Sequence, residues 1–135
     1  MTDETTRQSS NKALVRESFE RWRNGAGSPF DLLHPDSEWT IIGSSPLSRT
    51  YGRAEFFEKV VIPFNGLLKS PAVPTVLGIY ADGDMVIVRF DAEATAMDGS
   101  PYRNNYAWFL EIRDGQIIKG TAFFDTRYYD ALWPR

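Results

Sequence analysis

Apolar residues in the first part of the chain recur at helical spacing and predict an amphipathic helix that ends at Gly25. The residues that set this spacing are Leu14, Val15, Phe19 and Trp22. Ser28-Pro29 then combines a capping residue with a proline that the first turn of a helix tolerates, which predicts a short second helix through Leu33. We expect His34 to lie at the end of that helix, where the helix dipole favours it, and to take no part in catalysis.

A strand and a third helix are predicted next. Residues 38–42 have strand composition, and helical spacing returns over 53–68. Pro63 lies inside that second segment. Because proline lacks the N–H that a helix interior needs, we expect it to kink or split the helix.

Three Asp-Gly pairs, sixteen residues apart, mark the second half of the chain. Asp-Gly between β-rich segments favours tight hairpin turns, since both central residues of such a turn need positive φ. The pairs therefore predict four antiparallel strands at about 75–81, 84–97, 102–112 and 116–125. Strands of this length should twist, and the sheet should curl.

Alternation along strand 84–97 gives it two different faces. One face is wholly apolar: Val86, Val88, Phe90, Ala92, Ala94 and Ala96. The opposite face includes Arg89, Asp91 and Glu93, and the simplest interpretation turns it to water. The next two strands carry bulky apolar residues on both faces, so the sheet needs two covers. The helices supply one, and a second copy of the chain on the outer face would supply the other, which predicts a homodimer.

Composition fits one folded unit. The chain has 135 residues, of which 42% are hydrophobic and 14% aromatic. We expect a polar N-terminal tail over 1–10 and one domain over 11–135. Fifteen Lys and Arg against eighteen Asp and Glu give a net charge of -3, which disfavours nucleic acid and anionic membranes as partners.

The sequence lacks the residues that several kinds of chemistry require. The chain has no Cys, so disulfides and thiolate metal sites are excluded, and a cytoplasmic location is expected. One His and no carboxylate cluster at ligand spacing predict no metal site. No phosphate-binding loop is present, no cofactor is implied, and no apolar run is long enough for a membrane span.

The predicted order of elements resembles a known superfamily. Three helices, a strand and a curled meander that ends in Asp114-Gly115-Gln116-Ile117 and Phe123-Phe124-Asp125-Thr126 resemble the nuclear-transport-factor-2-like superfamily, in its SnoaL-like branch, over residues 11–130. The resemblance implies an α+β cone, in which a curved antiparallel sheet wraps around three N-terminal helices and encloses a single pocket. It also implies a small, mostly apolar molecule as the partner.

Within this superfamily the second half is most similar to limonene-epoxide hydrolase, through Arg89-Phe90-Asp91 and the residues after it. That similarity implies that Arg89 and Asp91 point into the pocket, with Asp91 as the general base and Arg89 as the group that orients it. Glu93, two residues further along the same face, becomes a second candidate carboxyl.

The chain departs from both catalytic patterns. The second carboxylate of the hydrolase falls at Ala122, so its proton donor is missing. The base of ketosteroid isomerase, another relative, falls in Ile41-Ile42-Gly43 and is also missing. Neither known route can run unchanged in this chain.

Other residues predict a binding surface. Tyr106 is a candidate donor to a developing oxyanion, with Asn104 beside it on the same strand face. Trp108, Phe124, Trp39 and Phe19 complete the predicted substrate-binding set. Asn104, Tyr106 and Trp108 could equally be satisfied core polar groups and packing, and for Trp108 packing is favoured.

Three functions are compatible with these features. The first is a cofactor-independent enzyme of hydrolase, isomerase or cyclase type that acts on a small apolar molecule, with Asp91 as its base. The second is a protein that binds such a molecule without converting it. The third is a dimerisation module whose pocket is filled. The alternative to catalysis by Arg89, Asp91 and Glu93 is that they form a structural ion-pair ladder with no substrate.

Overall fold

Helices pack against one face of a curved sheet in the computed structural model, which describes residues 2–134. In chain order the elements are α1 (Thr2–Arg23), β1 (Leu33–Ile41), β2 (Thr50–Gly52), α2 (Arg53–Phe56), α3 (Ile62–Gly66), β3 (Leu68–Asp82), β4 (Met85–Ala96), β5 (Pro101–Arg113), β6 (Gln116–Phe124) and α4 (Thr126–Asp130). A 3-10 turn (Pro29–Leu32) precedes β1, and a π-helical turn (Phe57–Val61) joins α2 to α3.

The first helix begins earlier than its apolar spacing indicates. The polar tail is expected over 1–10; residues 2–10 instead form the first turns of α1, where the exposed Arg7 pairs with Asp84. The predicted stop at Gly25 is confirmed. Its φ is 72°, and the Ala26 N–H donates to the Arg21 carbonyl at 2.8 Å. This Schellman geometry satisfies helix carbonyls that have no partner within α1.

The predicted second helix is only a 3-10 turn. Ser28 caps it, since its hydroxyl accepts from the Phe30 N–H and the Asp31 carboxylate accepts from the Ser28 N–H. The chain then enters β1 at Leu33, before the predicted strand start. His34 therefore lies in a strand, which corrects the expected helix end, and its Nδ1 accepts from the Asp36 N–H at 2.9 Å.

The third helix, expected to kink or split at Pro63, stays helical to Gly66 but widens to a π-helical turn before the proline. The Ile62 N–H donates to the Phe57 carbonyl, which closes a π-type turn directly before the proline. The wider turn shifts the hydrogen-bond register, so the helix continues past a residue that has no N–H to donate.

The four strands predicted from the Asp-Gly pairs are present as the antiparallel meander β3 to β6. The third turn has positive φ at both Asp114 (52°) and Gly115 (76°), as a two-residue hairpin turn requires. The sheet order is β2-β1-β6-β5-β4-β3, and β1 runs parallel to β6. The sheet is thus mixed, not wholly antiparallel as expected, because β1 comes from the helical half and no hairpin sets its direction.

The apolar face of β4 packs against the helices. Val86, Val88 and Phe90 are completely buried. The Phe90 ring lies 4.8 Å from that of Phe19 on α1, which is also buried. This contact fixes which face of the sheet is concave and therefore which side chains can border the space beneath the helices.

Candidate functional site

A cavity of about 1460 Å³ lies between the helices and the concave face of the sheet and opens to solvent. Its wall is mostly apolar and rich in aromatic rings from α1, the segment after it, and three strands. Six of these are Trp22, Phe30, Trp39, Tyr106, Trp108 and Phe124. A cavity of this size accommodates a molecule of several fused rings.

Trp108 is the centre of the aromatic wall. Its ring contacts Trp39 edge to face at a centroid distance of 4.9 Å, and Phe90 at 4.8 Å. The Trp22 ring is nearly parallel to that of Trp108, with ring centroids 6.1 Å apart. Because each ring is held by several others, the wall is rigid and presents flat surfaces in fixed orientations.

One cluster of polar groups interrupts this apolar wall. The Tyr106 hydroxyl lies 2.7 Å from that of Tyr102, and Asn104 Nδ2 donates to the Tyr102 hydroxyl at 2.8 Å. All three side chains come from the inner face of β5, where residues two apart point the same way. Of the three, Tyr106 borders the cavity.

Burial changes the acidity of the phenols at this end of the cavity. It is the main cause that raises the pKa of Tyr106 well above that of an exposed tyrosine, and it also raises the pKa of Tyr102. The pKa of Tyr129 on α4, whose ring also borders the cavity, is raised for the same reason. At neutral pH these groups are therefore protonated and can donate a hydrogen bond.

The predicted inward orientation of Arg89 and Asp91 is wrong. Phe90 between them is completely buried against the helices, so both neighbours lie on the outer face. Asp91 Oδ1 accepts from Asn105 Nδ2 at 2.8 Å on that face. Burying the charged row would have desolvated three ions and exposed the apolar row, so the simple rule of apolar residues inward holds.

Glu93 lies at the rim of the cavity. Its carboxylate pairs with Arg103 Nε at 2.9 Å, and the Glu93 side chain is 62% exposed. Among the residues from 2 to 134 that line the cavity, it is the one carboxylate. The polar partners of Asp91 and Glu93 thus come from β5 across the sheet, and no carboxylate in the described chain lies deep in the cavity.

The predicted binding residues separate into two groups. Tyr106, Trp108, Phe124 and Trp39 line the cavity. Phe19 and Asn104 are buried behind its wall. There Phe19 supports the Trp108 ring at 5.6 Å, and Asn104 supports the phenols. Ala122, the position of the missing carboxylate, also lines the cavity, where its methyl group adds to the apolar surface.

Three important residues of the site were not in the predicted set. Tyr102 alternates with Asn104 and Tyr106 along β5, so the period of two could have found it. Trp22 lies on the apolar face of α1 and could have been inferred from helical spacing. Tyr129 belongs to an aromatic tail with Tyr128 and Trp133, which in this fold can close the pocket mouth. Only the tertiary fold shows that Tyr129 borders the cavity and packs against Phe64, with ring centroids 5.3 Å apart.

An open, curved, six-stranded sheet around helices, with one large cavity on its concave side, defines the nuclear-transport-factor-2-like fold. The chain belongs to the SnoaL-like domain family within it, whose model matches residues 15–120. This confirms the predicted superfamily and branch, and the α+β fold class.

Solved structures of the same fold cover nearly the whole chain. IdmH, a proposed polyketide cyclase from Streptomyces antibioticus, is 20% identical with a TM-score of 0.70, over 90% of this chain and 96% of its own. AclR, a proposed hydroxylase from Streptomyces galilaeus, is 18% identical with a TM-score of 0.73, over 94% and 99%. TerC, crystallised with polyporic acid, is 23% identical with a TM-score of 0.70, over 90% and 96%.

Two negative findings accompany these similarities. No curated protein matches the chain in sequence at a significant level. None of the helices within residues 2–134 is long and apolar enough to cross a membrane.

Proposed function

We propose that this protein binds a flat, mostly apolar molecule of two to four fused rings in the cavity beneath its helices. The observation that carries the proposal is the aromatic wall around Trp108, which presents ring faces in fixed orientations. Flat ligands gain most from such a wall, because stacking adds to the burial of apolar area. The membership of the SnoaL-like family and the polyporic acid complex of TerC agree with a small-molecule site.

Binding is favoured over the predicted Asp91 chemistry by the arrangement of charges. Arg89 and Asp91 lie on the other side of the sheet, and Glu93 is paired at the rim. A general base must lie within hydrogen-bond reach of the proton it removes. The described residues therefore supply an apolar cavity with a phenol that can donate a hydrogen bond. These features favour binding of a molecule over its conversion.

Conversion of the bound molecule by a cyclase-type reaction is the second candidate. It is favoured by Tyr106, a phenol that burial keeps protonated and that borders the cavity. Such a group can stabilise negative charge that develops on a carbonyl oxygen. The proposed cyclase IdmH shares the fold, which makes this chemistry worth testing in this chain.

Tryptophan fluorescence tests the binding proposal directly, because Trp22, Trp39 and Trp108 all line the cavity. We expect menadione, 2-acetonaphthone and 9-fluorenone to quench the emission saturably and to raise the melting temperature, since each would bind the native state. Unchanged emission and melting temperature with all three compounds would refute the proposal.

A variant that fills the cavity locates the binding. Ala122→Phe places a ring in the cavity and should weaken binding by about tenfold or more. Val61→Trp, at another part of the wall, gives the same test if the first variant folds poorly. Ala13→Leu, on the exposed side of α1, is the matched control and should bind like the parent chain. Recovery of each compound for mass and absorption spectra then distinguishes binding from conversion.

We also propose a homodimer formed through the outer face of the sheet, and a cytoplasmic location. The dimer is supported by Phe123, which is 43% exposed, and by Phe109, whose ring lies 5.5 Å from it on the same outer face. Adjacent aromatic rings in contact with water favour association with a second apolar surface. The location rests on the lack of cysteine.

A further inference from the structure

The Asn104 side chain has its hydrogen-bonding capacity filled, and this fixes its orientation. Its Oδ1 accepts from the backbone N–H groups of Asn105, at 2.8 Å, and Asp125, at 3.2 Å. Its Nδ2 donates to the Asp125 carbonyl at 2.9 Å and to the Tyr102 hydroxyl at 2.8 Å. A flipped amide would point its hydrogens at two N–H donors, so Nδ2 must face Tyr102.

The amide in turn sets the direction of the next hydrogen bond. The Tyr102 oxygen accepts from Asn104, and among the described residues its hydrogen has one acceptor within reach, the Tyr106 oxygen at 2.7 Å. Because Tyr102 is only 3% exposed, donation to Tyr106 is the arrangement that gives its hydrogen a partner. The Tyr106 hydrogen is then free for another acceptor, and Tyr106 is a residue that lines the cavity.

The Tyr106 ring is held in place by its neighbours. It stacks on Phe90 with a centroid distance of 4.9 Å and an angle of 4°, and Phe124 lies 5.3 Å away on β6. Its hydroxyl is thus a donor at a fixed position, and the donation it receives from Tyr102 makes it a stronger one.

We propose that Asn104 and Tyr102 form an oriented relay that makes Tyr106 a hydrogen-bond donor to the bound molecule, so that the site selects flat ligands with a carbonyl or other acceptor oxygen. This inference rests on the proposed function and specifies the class of ligand. Tyr106 is the group that contacts the ligand, whereas Tyr102 and Asn104 are positioning residues.

A pair of compounds of the same shape tests the selectivity. 2-Acetonaphthone carries a carbonyl, and 2-isopropenylnaphthalene has a CH₂ group in place of that oxygen. One neutral hydrogen bond corresponds to about fivefold to tenfold in affinity, so we expect the ketone to bind tighter by that factor in fluorescence titrations. Tyr106→Phe keeps the ring and should abolish the difference.

The carbonyl stretching band of the bound ketone, labelled with ¹³C, reports the relay itself. We expect the band to lie at lower frequency than in an aprotic solvent. It should return to the solvent value in Tyr106→Phe and move part of the way back in Tyr102→Phe, because Tyr106 then donates without support. Tyr80→Phe removes a phenol that is 56% exposed and outside the cavity, and should leave the band unchanged.

The outcomes separate the two proposals. Equal affinity for the two compounds, with no band shift in the parent chain, would overturn the selectivity while leaving the binding function intact. A band that stays at its parent position in Tyr102→Phe would overturn the relay. If neither compound quenches the tryptophans, the binding function fails and the inference falls with it.

Discussion

Trp39 on β1 lies directly against Gly120, its paired neighbour on β6. A Cβ atom at position 120 would overlap the six-membered ring of Trp39, which is 97% buried and cannot swing into water. The absence of a side chain at 120 thus sets the position of a ring that lines the cavity.

We expect Gly120→Ala to destabilise the protein by about 1–3 kcal/mol, the range for overpacking in a core. The reason is that the Trp39 ring must then move away from β6, towards the aromatic rings that pack against it. Urea unfolding measures the change. Gly52→Ala is the control, since a Cβ at 52 meets no atom within 4 Å, and an equal loss in both variants would contradict the overlap with Trp39.

The third Asp-Gly turn should depend strongly on its glycine. Gly115 has a φ of 76°, where a side chain is strained. We expect Gly115→Ala to reduce the free energy of unfolding by about 1 kcal/mol. Gly52→Ala again serves as the control, because Gly52 has an ordinary φ of -73°. No difference between the two variants would show that backbone strain at the turn is unimportant.

Stability should fall steeply above pH 10. The pKa values of Tyr102, Tyr106 and Tyr129 are raised in the folded state, mainly by burial, so the unfolded chain releases these protons first. The stabilisation is complete below about pH 10 and is lost as the pH rises towards the folded pKa values, by about 1.4 kcal/mol per pH unit for each group.

Denaturant unfolding at several alkaline pH values, with absorbance at 295 nm to follow tyrosinate, measures this slope. Tyr106→Phe should make the slope shallower by the contribution of one group. A slope that is the same in the variant and the parent chain would contradict the assignment.

Asp91 on the outer face and Glu93 at the rim of the cavity should matter little for ligand binding. We expect Asp91→Asn and Glu93→Gln to change the free energy of unfolding by less than about 1 kcal/mol, because the polar pairs they form are exposed to water. Quenching by 2-acetonaphthone should stay within about twofold of the parent chain. Loss of binding in Asp91→Asn would return this residue to the site.

If the protein is a dimer, a substitution in the dimer interface should lower the mass of the particle in solution. Phe123→Arg places a charge on the outer face beside Phe109, so sedimentation should show a monomer where the parent chain sediments as a dimer. Tyr128→Arg, on exposed α4, should leave the dimer intact. A parent chain that is monomeric at working concentration would refute the proposal.

Much of the fold could be predicted from local patterns. The Asp-Gly pairs placed the hairpins, and alternation along β4 assigned its residues to two faces, because both signals arise within a few residues of chain. The parallel pairing of β1 with β6 could not be predicted in this way. It joins segments about eighty residues apart, and no turn between them limits their direction.

The candidate site was predicted in part from the same local patterns. Tyr106, Trp108 and Phe124 line the cavity as expected from alternation on the strands. Arg89 and Asp91 were assigned to it by resemblance to a relative, against the apolar pattern of their own strand, and here the pattern was the better guide. The hydrogen-bond partner of Tyr106 is Tyr102, which is held by Asn104. Asn104 is in turn held by two hydrogen bonds with the backbone of Asp125, the residue after β6.

By itself the sequence determined the meander and the two faces of each strand, since these depend on spacing and turn chemistry, and its resemblance to a known superfamily indicated the fold. Only the tertiary structure decided between the apolar pattern, which turns the Phe90 face towards the helices, and the resemblance, which turns the Arg89 face inward. The physical reason is that alternation defines two faces without a direction, and the direction is set when Phe19 of α1 packs against Phe90, which leaves the charged face to water.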